Sequence, residues 1–276
     1  MKRLPIVGTA LLIQERHSEH AAGQFAAAMA YFGFLSLFPV LLIGLSLAGF
    51  LLDDPQLQSR LTAAMTRAVP GIRTALGENL SALVERRTAT GVLGFLGLVF
   101  TGLRVVGSAK VATTRIFELE DEANVVEQKL RNLATLAWLG LLAVIGGAAG
   151  ALAGLDLAGP LQFLIGIGGT ALSLLVDSLL FISAYRILAA GKGPPWRDLW
   201  PGALASGMGW TLFKVVGSSL LTRQVASARP VYGSLASVAA VLLYFYLVAQ
   251  LYVYGAEFNA LRAERNHQRR NENGVL

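Results

Sequence analysis

The sequence predicts an all-α, polytopic membrane protein with six transmembrane helices, and two observations indicate this fold class. First, 54% of the 276 residues are hydrophobic and only 14% are charged, whereas about a quarter of an average soluble domain is charged. Second, the uncharged residues form runs long enough for helices of about 20 residues to cross a hydrocarbon core of about 30 Å. Helices are required because backbone polar groups in lipid must pair within each run, and the runs exceed the roughly ten-residue strands of a barrel.

Each predicted span is a run of residues with no charge or with a single charge. The runs 21–52, 132–155 and 230–256 contain no ionisable residue. Three further runs are long enough when each includes one charged residue, namely Arg104, Asp177 or Lys214. The spans of a single membrane domain, 1–276, are predicted at about 25–52, 91–109, 133–155, 161–187, 199–222 and 233–258, with a basic cytoplasmic tail at 259–276.

Segments outside the spans are also predicted to be helical. Lys2 and Arg3 precede only ten uncharged residues and no small-residue cleavage site follows, which favours a helix on the cytoplasmic surface over a signal peptide. In the first extracytoplasmic loop, apolar residues recur every four positions around Pro70 and Gly71: Leu57, Leu61, Met65 and Val69, then Ile72, Leu76, Leu80 and Leu83. This spacing predicts two short amphipathic helices. They either pack on the outer ends of the spans or form a lid over a central cavity.

The distribution of Lys and Arg predicts that both termini lie in the cytoplasm. In that orientation fourteen basic residues lie on the inner side and seven on the outer side, with Arg104 and Lys214 inside the spans. The positive-inside rule favours this arrangement. Basic residues beside spans also attract anionic lipid headgroups, so the pI of 9.8 requires no nucleic acid partner, and membrane lipids are the expected partners.

The sequence contains no motif that is typical of an enzyme. It has no cysteine, which excludes disulfides and thiol chemistry. His17, His20 and His267 lie in polar terminal segments without carboxylates at metal-ligand spacing, and we interpret them as solvated surface residues. Phosphate-binding glycine loops, nucleophile elbows and HExxH motifs do not occur in the sequence. We therefore predict a protein that is not an enzyme, with no metal and no cofactor.

Small residues predict where the helices approach each other closely, because backbones without side chains between them gain contact area in lipid. They are spaced along three spans: Gly91, Gly94 and Gly97; Gly146, Gly150 and Gly154; and Gly202 with Ser206. Packing within one chain explains these patterns. A homo-oligomer that associates through the third span is the alternative.

The charged residues within the spans are expected to face the interior of the bundle. Asp177 lies about 15 Å from Ile187, at the end of its span, because a helix rises about 1.5 Å per residue. Each charge at a helix centre costs about 2.5–3.5 kcal/mol in lipid. Asp177 can pair with Arg104 or with Lys214, which leaves one cation to bind the anionic group of a substrate near the midplane. The alternative is a structural ion pair and a second cation that extends to the interface.

The last span and two earlier segments resemble the YihY/BrkB family of bacterial inner-membrane proteins. YGSL opens the last span at Tyr232 and GAEFN closes it at Asn259. AAAMAYFGFLSLFP, at 26–39, resembles the first-span motif of the family, and WRDLWPGALASGMGWTLFK, at 196–214, is similar to its fifth-span motif. The resemblance implies six spans with cytoplasmic termini in the inner membrane. It also implies a role in the envelope, since members have been linked to serum resistance and lipid movement and a former ribonuclease label is regarded as mistaken.

The resemblance implies a set of site residues. The positions that match the family pattern are Tyr31, Pro39, Lys214, Tyr232, Gly233, Gly255, Glu257 and Asn259. From these we predict substrate contacts by Lys214, Glu257, Tyr31, Tyr232 and Asn259, with Lys214 and Glu257 as the principal residues. Asp177 and Arg104 depart from the family pattern, so we predict a local charge pair between them.

The sequence places charges within its spans but contains no catalytic motif. Translocation of a substrate explains this combination better than catalysis does. We predict a transporter or flippase for an anionic lipid or another amphiphile. The first alternative is an envelope scaffold or partner-binding membrane protein whose charges are only structural. A membrane-bound ribonuclease is third, because no residue pattern resembles a metal-bound water or a general base.

Overall fold

The computed structural model describes residues 6–51, 87–119, 125–153, 160–189, 193–232 and 234–273. Within these ranges the chain forms seven α-helices and no β-strand, which confirms the predicted all-α class. In chain order they are α1 (Ile6–Glu19), α2 (Ala22–Leu51), α3 (Arg87–Ile116), α4 (Val125–Ala153), α5 (Pro160–Leu188), α6 (Trp196–Tyr232) and α7 (Ser234–Asn273). The two amphipathic helices predicted between Leu57 and Leu83 lie outside the described residues.

Five of these helices are long and apolar enough to cross a bilayer. The apolar segments are Ala22–Gly44, Thr88–Ile116, Val126–Gly150, Ile165–Leu188 and Val238–Arg269, in α2, α3, α4, α5 and α7. They overlap five of the six predicted spans. The remaining predicted span, 199–222, lies within the continuous helix α6, which is not among the five segments. The predicted tail from residue 259 continues α7 without a break as far as Asn273.

The six long helices form a ring whose order follows the sequence. Each helix from α2 to α7 packs on the helix before it, and α7 closes the ring by packing extensively on α2. The contact between α3 and α4 is the least extensive in the ring. The first helix, α1, lies against α7 and α2. Sequential packing of this kind is common because short connections keep consecutive elements adjacent.

The buried core and the apolar surface of the ring differ in position. Fully buried side chains are concentrated where the second half of α7 meets the end of α5 and the start of α6, and they include Tyr185, Leu199 and Val253. Elsewhere large apolar side chains point outward; Leu175 and Val144, for example, are 65% and 70% exposed. Many exposed large apolar side chains are typical of a surface in contact with lipid rather than water.

The small residues that the sequence singled out lie between helices of the same chain. Gly97 of α3 approaches Pro39 of α2, and Gly146 of α4 approaches Val176 of α5. Helices α6 and α7 also approach closely at Gly202, where an added Cβ would lie 2.4 Å from the carbonyl oxygen of Gly255. Packing within one chain therefore explains the described glycines of these three patterns, whereas Gly154 lies outside the described residues.

Candidate functional site

An ion pair between Asp177 on α5 and Lys214 on α6 lies within the helix bundle. Lys214 Nζ is 2.6 Å from Asp177 Oδ2. Lys214 also donates a hydrogen bond to Ser173 Oγ at 2.6 Å, and Thr211 Oγ1 donates to Asp177 Oδ2 at 3.1 Å. The Asp177 side chain is only 5% exposed, whereas the Lys214 side chain is 24% exposed. The carboxylate is thus enclosed by polar partners, while the lysine remains partly accessible.

Helical spacing brings these groups together. Ser173 and Asp177 are one turn apart on α5, and Thr211 and Lys214 are one turn apart on α6, so each pair projects from one face of its helix. Gly146 of α4 provides the space for the carboxylate, because a Cβ there would lie 3.0 Å from Asp177 Oδ1. The charge pair therefore depends on three helices, α4, α5 and α6.

Arg104 does not pair with Asp177, so the predicted Arg104–Asp177 pair is wrong. Its guanidinium carbon lies 5.4 Å from the ring centroid of Phe100 and 5.9 Å from that of Phe32. Arg104 is exposed on α3, so the expectation that it faces the interior of the bundle is also wrong, and within the described residues it has no carboxylate partner. The physical reason is the ring order, which places α3 next to α2 and α4 and leaves α5 and α6 to pair with each other. Cation–π contacts with two phenylalanines partly replace the missing counter-ion.

A second polar cluster connects α1 and the α1–α2 turn to α7. We call Arg16, His20, Glu257 and Glu264 the α1–α7 cluster. Glu257 is completely buried, with its Oε1 2.7 Å from His20 Nδ1 and its Oε2 3.6 Å from Arg16 Nε. Arg16 also forms a 2.7 Å ion pair with Glu264, two turns further along α7. A buried carboxylate of this kind is stable only when cationic or hydrogen-bonding partners surround it.

The positions of His17 and His20 correct the prediction that they are solvated surface residues. His17 is buried and stacks on Tyr254, with ring centroids 4.5 Å apart and an angle of 7° between the planes. Burial lowers the pKa of His17. For Arg16, burial also acts to lower the pKa, but the hydrogen bond and the charge of Glu264 outweigh it, so the pKa of Arg16 is raised. Partners more than 230 residues away along the chain leave no pattern in a local sequence window.

Asn259 joins α7 to the start of α6. Its Oδ1 accepts a hydrogen bond from the backbone N–H of Gly202 at 2.8 Å, and the side chain is completely buried. Its Nδ2 is buried without a hydrogen-bond partner. Asn259 therefore has a structural contact where the two helices pack closely together, although its amide nitrogen is left without an acceptor among the described residues.

Sequence reasoning missed a buried hydroxyl network next to this point. Tyr185 donates to the backbone carbonyl of Tyr252 at 2.9 Å and lies 3.0 Å from Ser206 Oγ. The hydroxyl of Tyr252 in turn forms a hydrogen bond with Thr113 of α3. The small-residue pattern at Ser206 was the only sequence signal for this network, which links α3, α5, α6 and α7.

The predicted substrate-contact residues do not form one site. Asn259 contacts Gly202, and Lys214 is twelve residues further along α6, a distance of about 18 Å at 1.5 Å per residue. Tyr31 is 54% exposed on α2 and touches Phe32, and the side chain of Tyr232 lies outside the described part of the chain. In the ranges that the structure covers, no three His, Asp or Glu side chains converge as a metal site would require.

A bundle of apolar helices with buried ion pairs defines a polytopic helical membrane protein. The chain belongs to the Virulence factor BrkB family, whose model matches residues 13–275. This match confirms the family resemblance of the three sequence motifs.

Known relatives are similar over most of this chain. The inner membrane protein YhjD of Escherichia coli is 24% identical, and the aligned region covers 94% of this chain and 82% of YhjD. YfkH of Bacillus subtilis, named as ribonuclease-like, is 24% identical over 91% of this chain and 93% of YfkH. A UPF0761 membrane protein of Alkalilimnicola ehrlichii is 26% identical over 90% of this chain but only 56% of that relative. No solved structure gave a significant match.

Proposed function

We propose that the protein translocates an anionic lipid or another anionic amphiphile across the bacterial inner membrane. The observation that carries this proposal is the Asp177–Lys214 pair, in which the carboxylate is 5% exposed and the lysine 24% exposed. Only the lysine is accessible to a ligand at the bundle surface. A transported phosphate or carboxylate would therefore encounter the cation first.

Translocation would use an exchange of partners at Lys214. In the resting state Lys214 is neutralised by Asp177. An anionic headgroup close to Nζ would take over as the counter-ion, while Thr211 and Ser173 continue to donate hydrogen bonds to the carboxylate. A headgroup that moves between the two faces of the membrane would thus have a cation at intermediate depth, where an uncompensated charge costs about 2.5–3.5 kcal/mol.

The proposal includes a topology of six spans with both termini in the cytoplasm. The excess of basic residues on the proposed inner side supports this orientation. The name of YhjD supports the inner membrane. The 37-residue length of α6 supports a sixth span, because about 20 residues suffice to cross. Since the chain has no cysteine, single cysteines introduced at residues 2 and 272 would report the sidedness of each terminus directly.

The test is lipid translocation by the full chain in liposomes that contain fluorescent phosphatidylglycerol. Lys214→Gln with Asp177→Asn removes both charges and keeps hydrogen-bonding side chains of similar size. We expect this double variant to lose at least about 90% of the translocation rate, equivalent to about 1.4 kcal/mol in the barrier. Arg104→Gln is the matched control, because it removes an intramembrane charge that has no carboxylate partner among the described residues.

Reversal of the pair separates transport from structural support. The variant with Asp177→Lys and Lys214→Asp keeps an ion pair but puts the cation on α5, at the enclosed position. We expect it to fold and to translocate slowly. If either the neutral or the reversed variant translocates at the rate of the unmodified chain, the pair is structural and the protein is better interpreted as an envelope scaffold.

A further inference from the structure

A cleft lined by arginine side chains lies between the start of α6 and the last turns of α7. We call Arg197, Arg262, Arg265 and Arg269 the arginine cleft. They line two adjoining cavities, of about 390 Å³ and 170 Å³, which share Arg262, Asn266 and Arg269. Both are open to the surface of the bundle, so a bulky ligand could reach the arginines from outside.

The charge of the arginine cleft is not balanced by the carboxylate beside it. Asp198 is buried in the cleft wall and accepts a hydrogen bond from Asn266 Nδ2 at 2.8 Å. In the part of the chain that the structure describes, none of the four arginines forms an ion pair. One carboxylate among four guanidinium groups leaves a net positive charge in the cleft.

The arrangement of the arginines along α7 is unfavourable without an anion. Arg262, Arg265 and Arg269 are three and four residues apart and therefore lie on one face of the helix. Like charges at this spacing destabilise a helix by about 0.2–0.5 kcal/mol per pair. In addition, Nη2 of Arg265 is buried and has no hydrogen-bond partner. A buried guanidinium N–H group without an acceptor is costly, and Arg265 also lines the smaller cavity, so an anion bound there would relieve both the charge repulsion and part of this cost.

One wall of the smaller cavity is apolar. The apolar side chains in this wall are Phe258 and Leu261 of α7. The same cavity is also lined by Thr9 of α1 and by Arg265. A free anion would gain nothing from this wall, whereas an amphiphile would place its charged group on the arginines and its hydrocarbon on Phe258 and Leu261. Basic pockets between helices at a membrane face bind phosphate-bearing lipid headgroups in this manner.

We propose that the arginine cleft is a binding site for the phosphate group of an anionic membrane lipid. The planar guanidinium group of arginine can donate two parallel hydrogen bonds to the oxygens of a phosphate. Such charge-assisted hydrogen bonds are about twice as strong as hydrogen bonds between neutral groups. The site is separate from the Asp177–Lys214 pair, since Arg197 lies seventeen residues before Lys214 on α6, about 25 Å along the helix. It requires no transport, so it holds or fails independently of the proposed translocation.

The test is saturable binding of short-chain phosphatidylglycerol to the purified full chain in a neutral detergent, measured by calorimetry. Short-chain phosphatidylcholine and inorganic phosphate are the comparison ligands. The cleft variant carries Arg262→Gln with Arg265→Gln. The control variant carries Arg115→Gln with Lys129→Gln, which removes the same net charge from two exposed positions outside the cleft.

We expect the cleft variant to bind phosphatidylglycerol about tenfold more weakly than the unmodified chain, since each charge-assisted contact contributes substantially to affinity. The control variant should change the affinity less than twofold, and phosphatidylcholine should not compete. An equal loss in both variants would mean that net charge alone attracts the lipid, and the proposal would be overturned. Inorganic phosphate that binds as tightly as phosphatidylglycerol would also overturn it, because the apolar wall would then have no role. Unchanged elution on size exclusion verifies that both variants are folded.

Discussion

Gly202→Ala tests the close approach of α6 to α7 most directly. A methyl group at this position would lie 2.4 Å from both the carbonyl oxygen of Gly255 and Asn259 Oδ1. Ordinary contacts of this type begin at about 3.4 Å, so the helices must separate by about 1 Å or Asn259 must move. Overpacking of this kind costs about 1–3 kcal/mol, and loss of the Gly202–Asn259 hydrogen bond costs about a further 1 kcal/mol. Alanine regains about 1 kcal/mol of helix propensity, which leaves a net destabilisation of about 1–3 kcal/mol.

The assay is thermal unfolding of the purified chain in detergent, followed by circular dichroism at 222 nm. Gly147→Ala is the matched control, because nothing lies within 4 Å of the added Cβ and that residue also lies within a helix. The control is expected to raise the midpoint slightly, through helix propensity alone. If Gly202→Ala and Gly147→Ala shift the midpoint by the same amount and in the same direction, the α6–α7 contact is looser than described and the steric argument is wrong.

Three further predictions use the same assay. Lys214→Met leaves Asp177 enclosed without its counter-ion, so we expect a loss of about 3 kcal/mol, most of which Lys214→Met combined with Asp177→Leu should restore; equal midpoints for the single and double variants would contradict this. Because the pKa of His17 is lower in the folded chain than its usual 6.5, the unfolded chain binds the proton more readily. Its contribution to stability is therefore complete above pH 6.5 and is lost as the pH falls below that value. His17→Phe, which keeps a ring against Tyr254, should weaken this loss, and an unchanged pH profile would refute the assignment. Glu118→Gly should raise the midpoint by the equivalent of about 1 kcal/mol, since Glu118 has a φ of 52° at the end of α3; a lower midpoint would show that its side chain stabilises the turn.

The positions of five long helices could be predicted from the sequence, but the partner of Asp177 could not. The charge-free runs predicted the positions of α2, α4 and α7. Runs that contain one charge, Arg104 or Asp177, predicted α3 and α5. These predictions succeed because length and hydropathy are local properties of the chain. The inward position of Asp177 was also predictable from the cost of a charge in lipid. Its partner was not, since Arg104 and Lys214 satisfy that cost equally well on paper. The ring order decided between them by placing α6 beside α5.

The same distinction applies to the polar terminal segment. His17 and His20 are ordinary surface residues in a local window, and only the packing of α1 and the α1–α2 turn on α7 buries His17 against Tyr254 and places His20 beside Glu257. The arginine cleft likewise combines Arg197 with residues more than sixty positions later in the chain.

The sequence by itself determined that this protein is a helical membrane protein, where most of its spans lie and that the carboxylate of Asp177 requires a partner within the bundle. Those conclusions follow from the free energy of transferring side chains and backbone groups into hydrocarbon, which depends on each segment alone. Only the tertiary structure decided which charges meet, which histidines are buried and where a cleft forms. Those outcomes depend on the order and contacts of the helices around the ring, and side chains that are far apart in the sequence carry no local signal of their final neighbours.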